Sequence, residues 1–408
     1  MRILYLATHK LWPLNSGNRL RDFHLARELA KRASVTFVEI CQAKEQPSCL
    51  PTESPFEQIV SLRKSASYSG WKTIRGLMGP TPLPILNYVK PDSARRLESV
   101  LAQKRFDSVQ VEGVHLTSYL SSIQRAPGPP PVVIDWQNIE SELMRRYSEN
   151  TASLPRKLAA RRTAHLLARS ELMLLKQGNA HTVVSERERN ELLSRHPRAN
   201  VCVVPNGVDV SFFARPPTSA NAGNQRPASS GSTVVFVGSM DYHANIDGAV
   251  WFAREVWPAI AAQHPSLEFV IVGRSPSKEV RALASDRIRV TGTVEDVRPY
   301  YACAIASVVP LRVGGGTRLK ILEAMAAGVP VVSTTLGAEG LDAVPNTHYL
   351  LANRPTDVVD AITQLHDLST RDRIVQAARA FAVSHYDWSI LGSKLYQVHS
   401  ELVQRQGT

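Results

Sequence analysis

The feature that most limits what this chain can fold into is a rhythm that runs through it twice: a short apolar run, a loop, then a helical pattern. In the first half the apolar runs are Ile3–Ala7, Val35–Ile40, Ser108–Glu112, Val132–Asp135, Thr182–Ser185 and Val201–Val204. Their residues are apolar in succession rather than in alternation, as in parallel strands covered on both faces. Helical patterns lie between them, at Arg19–Lys31 and at Leu158–Lys176, the latter starting just after Pro155, which suits a first helical turn. A stretch rich in Pro, Ser, Ala, Asn and Gly, Ala214–Ser232, has no periodicity and reads as a flexible linker. The rhythm then restarts with runs at Thr233–Val237, Leu267–Val272, Ile288–Val290, Ile305–Val309 and Val329–Ser333, separated by helical patterns that include Ile246–Gln263 and Leu319–Ala327. This alternation predicts an α/β chain of two doubly wound, parallel-sheet domains. The expected boundaries are 1–205 and 206–385, with residues 386–408 returning to the first domain through an amphipathic helix at Trp388–Gln404. Ligands of such sheets bind beyond the carboxyl ends of the strands. A cleft between two facing sheets is therefore the expected site.

The length of 408 residues suits two cores rather than one. With 43% hydrophobic and 21% charged residues, the composition excludes a disordered or membrane-embedded chain. Ile3–Ala7 is too short for a signal-peptide core, and no run approaches the roughly 20 apolar residues that span a bilayer, so a cytoplasmic protein is expected. The four cysteines, Cys41, Cys49, Cys202 and Cys303, show neither CxxC spacing nor histidines at ligand intervals. They read as reduced and structural, and no metal site is expected. The net charge of +12 lies wholly in residues 1–205, which hold 30 Lys+Arg against 18 Asp+Glu. That half is expected to meet something anionic, either a lipid headgroup surface at the inner face of the plasma membrane or a phosphate-bearing acceptor, or else to carry ordinary solubility charge on exposed helices. Nucleic acid is not expected, because no base-stacking or groove-reading motif accompanies the basic residues.

The segment with the strongest chemical signal is Pro310-Leu-Arg-Val-Gly-Gly-Gly-Thr-Arg-Leu-Lys-Ile-Leu-Glu323-Ala-Met-Ala-Ala-Gly-Val-Pro-Val-Val-Ser-Thr334. A strand ends at Pro310, Gly314, Gly315 and Gly316 follow, and Thr317 is placed to cap the next helix. Glycines ahead of a helix let backbone N–H groups approach a phosphate, and the helix dipole favours its charge. Arg318 and Lys320 put cations at that same end, where the dipole alone disfavours them, so a bound anion explains them. Glu323 lies six residues past Thr317, about 9 Å along the helix, and shares a face with Lys320. The competing reading is a turn followed by a surface Lys–Glu pair.

This segment resembles the signature of family 4 retaining glycosyltransferases, which have the GT-B fold of two Rossmann-like domains. The likeness continues in order along the chain through Asn15-Ser16-Gly17, Pro205-Asn-Gly-Val-Asp209, Val237-Gly238, Val270-Ile-Val-Gly273, Val290-Thr-Gly292 and Asp387-Trp388-Ser389. The resemblance implies that Glu323 accepts hydrogen bonds from the nucleotide's ribose hydroxyls. It further implies that backbone near Thr293 and Val294 holds the base, and that the loop Thr334–Leu341 closes over the donor. Two departures stand out. Gly315 replaces the family's first glutamate, and Ser239 and Ala244 replace its basic pair. Arg318 and Lys320 are the expected substitutes, with Arg274 a weaker one, and His243-Ala-Asn245 marks the altered loop.

In the first domain, Gly17 and the loop before it offer free amides, and Arg19 and Arg21 add charge there. Asp135-Trp-Gln137-Asn138 follows a strand and is expected to emerge at the cleft, with Asn138 either touching the ligand or merely capping the helix Ile139–Arg146. His115 is the histidine candidate, and Ser185 with Glu188 reads as a capping box. The expected reaction is transfer of a sugar from a nucleoside diphosphate to a hydroxyl of a saccharide or lipid-linked acceptor, with retention and without a metal or other cofactor. Envelope or exopolysaccharide synthesis is the expected setting. The alternatives are a catalytically silent binding scaffold of the same fold and, less well, a sugar-nucleotide epimerase. Since no paired carboxylates stand out, a glycosidase plan is disfavoured. An NAD enzyme is disfavoured because neither first strand is followed by GxGxxG.

Overall fold

The computed structural model describes residues 1–14, 16–42, 44–48, 54–65, 70–151, 153–215, 233–314 and 318–406. They form two compact units, Met1–Pro205 with Leu391–Thr408, and Asn206–Ile390. The first unit carries the strands β1 (Arg2–Leu6), β2 (Ser34–Cys41), β3 (Gln58–Arg63), β4 (Ser108–Glu112), β5 (Val132–Trp136), β6 (Ala180–Val183) and β7 (Val201–Val203). Every pairing in its sheet is parallel, in the order β3-β2-β1-β4-β5-β6-β7. The second unit carries β8 (Thr233–Val237), β9 (Glu268–Val272), β10 (Ile288–Val290), β11 (Ala304–Val309), β12 (Val331–Ser333) and β13 (Leu350–Leu351). Its sheet is also wholly parallel, in the order β10-β9-β8-β11-β12-β13. Central strands such as β4, β5, β8 and β11 are buried at every position, which is why they read as unbroken apolar runs.

Strand order reverses between β1 and β4 in one sheet and between β8 and β11 in the other. At such a point neighbouring crossovers leave in opposite directions and open a crevice at the carboxyl ends. Both regions described below lie at these two points.

Strand β12 begins at Val331 rather than Val329, and the helix expected from Leu158 spans Leu154–Gln177; four further elements differ for local reasons. Strand β3 was not expected, because as an edge strand it is only half buried and its pattern is broken by polar residues. Strand β13 is two residues long and leaves no readable run. Strand β6 starts and ends two residues earlier than expected because Ser185 is committed elsewhere: its hydroxyl accepts from the Glu188 N–H and caps the helix Glu186–Arg195, while the Glu188 carboxylate accepts from the Val184 N–H. The single helix expected over Ile246–Gln263 is a helix at His243–Trp251, a π-turn at Phe252–Val256 and a helix at Trp257–Gln263. Pro258 sits in the first turn of the last piece, where its missing N–H and its ring forbid a regular continuation.

The terminal helix Trp388–Gln406 belongs to the first unit from Leu391 onward. There the buried His399 lies 2.6 Å from Ser108 Oγ and 3.0 Å from Gln110 Oε1. Cys41, Cys202 and Cys303 are free thiols, and Cys49 lies outside the described residues.

Candidate functional site

The second unit assembles its polar residues around the turn after β8. Gly238 leaves that strand, and a Cβ there would lie 2.8 Å from Asn245 Nδ2 and 2.9 Å from Lys320 Nζ. Glycine therefore keeps room for two polar heads against the backbone. Asn245, on the helix His243–Trp251, donates from Nδ2 to the Ser239 carbonyl at 2.8 Å and accepts the Lys320 ammonium at 2.7 Å. Lys320 Nζ also stands 4.6 Å from the centre of the Phe236 ring. Arg274, just past the end of β9, donates from Nε to Ser239 Oγ at 2.8 Å. Thus Lys320 and Arg274 both reach the stretch 238–245, where the basic pair of related sequences would stand. Ala244 explains the departure: it is fully buried, and the turn at Gly314 (φ +98°) passes so close that a Cβ on Gly314 would fall 2.8 Å from the Ala244 Cβ.

Glu323 lies one turn beyond Lys320 on the helix Leu319–Ala326, with Tyr301 nearby, whose hydroxyl donates to the Lys320 carbonyl at 3.5 Å. Burial raises the Glu323 carboxyl to about 7, against the pull of Lys320 and Tyr301. Burial, reinforced by Arg318, lowers the Lys320 ammonium to about 7, while Glu323 opposes that shift. Lys320 and Glu323 thus stand one turn apart on one helix, each shifted chiefly by burial and each pulled back by the other's charge.

Arg318, expected as a phosphate-binding cation, bonds backbone carbonyls of two loops. It is 4% exposed, and its Nη2 donates to the Leu336 carbonyl at 3.1 Å and to the Gly314 carbonyl at 3.5 Å, tying two loops together. The loop Thr334–Leu341, expected to close over a ligand, is pinned in the same way. Thr334 Oγ1 donates to the Leu311 carbonyl at 2.5 Å and accepts from the Gly337 N–H at 2.9 Å. Gly315, Gly316 and Thr317 lie outside the described residues, and the helix opens from Arg318 without a side-chain cap. Val294 is partly buried against the unit's core, beyond β10.

The first unit presents a contrasting set. Gly17 opens the helix Gly17–Ala30 after Ser16, which gives no side-chain cap, and Asn15 lies outside the described residues. Arg19 donates to the Pro13 carbonyl at 3.1 Å. The expectation that Arg21 and Asp135 present free charge is corrected: Arg21 is 1% exposed and Asp135 fully buried, and they form a bidentate pair at 2.7 and 2.8 Å. Thr182 adds a third bond to Asp135 at 2.7 Å, and Arg21 also donates to the Pro205 carbonyl at 3.0 Å. A strand buried on both faces hides even its last polar residue, so Asp135 serves the interior.

Asn138 does not cap the following helix, which begins at Glu140 after Ile139. His115 sits on a 3-10 turn, Val114–Leu116, with its ring 5.5 Å from that of Tyr88; burial lowers its pKa against the pull of Glu112.

The histidine that does join a polar cluster is His9, two residues beyond the apolar run of β1 and not singled out from the sequence. Its Nε2 lies 3.1 Å from Asp22 Oδ2 and its Nδ1 3.7 Å from Glu112 Oε2. Burial alone would lower the His9 pKa, but Glu112 and the Asp22 hydrogen bond outweigh it and push it up to about 9. Burial, then the charge of Asp22, raises the Glu112 carboxyl. The missed signal was positional: His9 follows β1 and Glu112 ends β4, the two strands that flank the reversal of strand order.

Comparison with known proteins places this geometry. Residues 23–212 match the family model described as Glycosyltransferase Family 4, and residues 231–367 match the model described as Glycosyl transferases group 1. This chain belongs to glycosyltransferase family 4. Among curated relatives, a phosphatidyl-myo-inositol mannosyltransferase of Mycobacterium leprae is 31% identical over 50% of this chain and 54% of its own length. A GDP-mannose-dependent alpha-(1-6)-phosphatidylinositol monomannoside mannosyltransferase of Mycobacterium tuberculosis is 31% identical over 56% of this chain and 64% of its own. The family 4 chain thus spans about half the length of the first of these relatives and under two thirds of the second. Among solved structures, a sucrose-phosphate synthase from Thermosynechococcus elongatus superposes with a TM-score of 0.72 at 17% identity, covering 99% of this chain and 100% of that one. The Anabaena protein HepE, solved in complex with UDP, gives 0.66 at 15% identity over 98% and 100%. These likenesses establish the two-domain GT-B fold for the family 4 chain.

Proposed function

We propose that this family 4 chain transfers a hexose-type sugar from a nucleoside-diphosphate donor to a hydroxyl acceptor, with retention of anomeric configuration. The observation that carries the reading is the convergence of Lys320 and Arg274 on residues 238–245, which restores two cations where Ser239 and Ala244 had removed them. In this reading those cations bind the donor diphosphate and stabilise the charge that grows on it as the glycosidic bond breaks. Glu323 accepts the ribose hydroxyls, an arrangement a carboxylate's paired oxygens suit. An oxygen of the departing diphosphate takes the acceptor proton, so no protein base and no metal is needed on the leaving group. The mannosyltransferase relatives, named for lipid-linked inositol acceptors, support a lipid-linked acceptor here. Synthesis of envelope or exopolysaccharide material is the corresponding role.

A peripheral contact with an anionic membrane follows from the same reading. Among the described residues no helix is long and apolar enough to cross a membrane. The helix Leu154–Gln177 exposes Leu154 and Leu158 by 66% and 57%, interspersed with Arg156, Lys157, Arg161 and Arg162. Apolar side chains set among cations suit insertion at an anionic interface.

Calorimetric titration with UDP and with GDP, followed by hydrolysis assays over a panel of nucleotide sugars, tests the assignment. Binding of one nucleotide with slow hydrolysis of its sugar is expected. Binding with no turnover of any donor, with or without glycosyl acceptors, supports the scaffold of the same fold instead. Co-sedimentation with phosphatidylglycerol and phosphatidylcholine vesicles tests the membrane contact, and equal partitioning rejects it.

A further inference from the structure

The loops that follow β8 and β11 flank the reversal of strand order in the second unit, and a tyrosine hydroxyl lies between them. Tyr242 precedes the helix His243–Trp251 and is 39% exposed. Its ring meets that of His243 edge-on, with centres 4.6 Å apart, while its hydroxyl makes no hydrogen bond among the described residues. Across the crevice stands Gly314 (φ +98°), and a Cβ built there would fall 3.2 Å from the Tyr242 hydroxyl. The phenol therefore lies over the glycine turn at the point where neighbouring crossovers part, which is where ligands of doubly wound sheets bind.

The surroundings fix that placement without using the hydroxyl. Gly248 lets the helix lie against the end of β11, since a Cβ there would stand 2.8 Å from the Pro310 carbonyl oxygen. Arg312 donates from Nε and Nη2 to the Asp247 carboxylate at 3.1 and 2.7 Å, which ties the same helix to the loop after β11. Its guanidinium also stands 5.5 Å from the centre of the Trp251 ring. The Tyr242 carbonyl accepts from the N–H groups of Asn245 at 2.9 Å and Ile246 at 3.0 Å. A polar group held in position yet left unbonded by its own chain is available to a ligand at no cost in ordering.

The chemistry of the neighbours decides which part of a ligand it meets. Lys320 and Arg274 converge on Asn245 and Ser239, on either side of Tyr242 in the chain, so the charge of a diphosphate is met there. Gly314, Gly315 and Gly316 bring no side chain to the turn. A sugar next to the diphosphate presents hydroxyls, each both donor and acceptor, and a phenol is likewise both. Resting on the donor reading given above, we propose that the Tyr242 hydroxyl hydrogen-bonds a hydroxyl of the transferred sugar and so selects which sugar is accepted. An epimer whose hydroxyl points elsewhere leaves that phenol unpaired and binds less well.

The test compares wild type with Tyr242→Phe by calorimetry on UDP, GDP, UDP-glucose, UDP-galactose, GDP-glucose and GDP-mannose, and by the kcat and KM of donor hydrolysis. Tyr242→Phe should keep the affinity for the free nucleotide within about twofold and weaken that for the preferred sugar nucleotide about three- to tenfold, the range of one neutral hydrogen bond. The loss should appear chiefly in KM, because the bond already exists in the ground state. Preference for that sugar over its epimer on the same nucleotide should shrink by a similar factor. Urea unfolding should be unchanged, since the hydroxyl bonds nothing in the chain. Equal losses for nucleotide and sugar nucleotide would put the hydroxyl on the diphosphate and overturn the proposal, as would no loss for either. Wild type that binds none of these probes refutes the donor reading and the proposal together. Wild type that turns over a donor beside an equally effective Tyr242→Phe refutes the proposal alone.

Discussion

The two units share a plan and fill it with opposite charge. In the second unit Lys320, beyond β11, and Arg274, beyond β9, meet at the turn after β8, where among the described residues their side chains bond neutral groups, Asn245 Oδ1 and Ser239 Oγ. In the first, the loops beyond β1 and β4 gather Asp22 and Glu112 around His9, and the nearby cation Arg21 is already paired with Asp135. The difference teaches how to tell charge used for stability from charge held for a ligand. Arg21 and Asp135 satisfy each other in the dark, whereas Lys320 sits on a neutral amide and has its pKa depressed by burial. A cation kept in such a setting becomes favourable when an anion arrives.

The sharpest way to break that comparison is to truncate one cation from each unit. Arg21→Ala leaves Asp135 buried without its partner and should cost about 3 to 5 kcal/mol of stability in urea unfolding. Arg274→Ala should change stability by only about 0.5 kcal/mol. Similar losses in both would erase the distinction. Next in size, Lys320→Ala should lower turnover by about 10² to 10³ at unchanged fold, the scale expected for removing one group that stabilises developing charge. Near-normal turnover would remove Lys320 from the leaving-group role. Third, Arg274→Ala should weaken nucleoside-diphosphate binding about tenfold, close to 1.4 kcal/mol, as read by calorimetry.

The smallest effect is a pH profile. A bound diphosphate raises the Lys320 pKa above its free value of about 7, so binding takes up a proton and affinity falls as pH rises past that point. Glu323 must ionise to accept hydroxyls, and its raised pKa of about 7 weakens binding as pH falls. Affinity should therefore peak near pH 7 and drop a few-fold on either side. Glu323→Gln should flatten the acid limb and Lys320→Met the alkaline one; a flat wild-type profile would show that neither group titrates on binding.

Much of the fold could be read directly. Runs such as Thr233–Val237 and Ser108–Glu112 are strands with the expected ends, because a strand buried on both faces leaves an unbroken apolar record. Edge strand β3 left none. In the site, the glycine turn and the helix with Lys320 and Glu323 were legible since their residues are neighbours in one segment. Arg318 and Lys320 carry the same charge two residues apart in the sequence, yet the structure gives them different partners. Helical geometry turns one towards the loop carbonyls of Gly314 and Leu336 and the other towards Asn245.

What the sequence determined by itself was therefore the architecture and the family, since apolar periodicity and contiguous motifs are local properties of the chain. Which charges meet was decided only by tertiary structure. His9 meets Glu112 from 103 residues away in the sequence, and Lys320 finds Asn245 across 75 residues. Electrostatic partnership depends on distance through space and on exclusion of water, and neither is written in the order of residues.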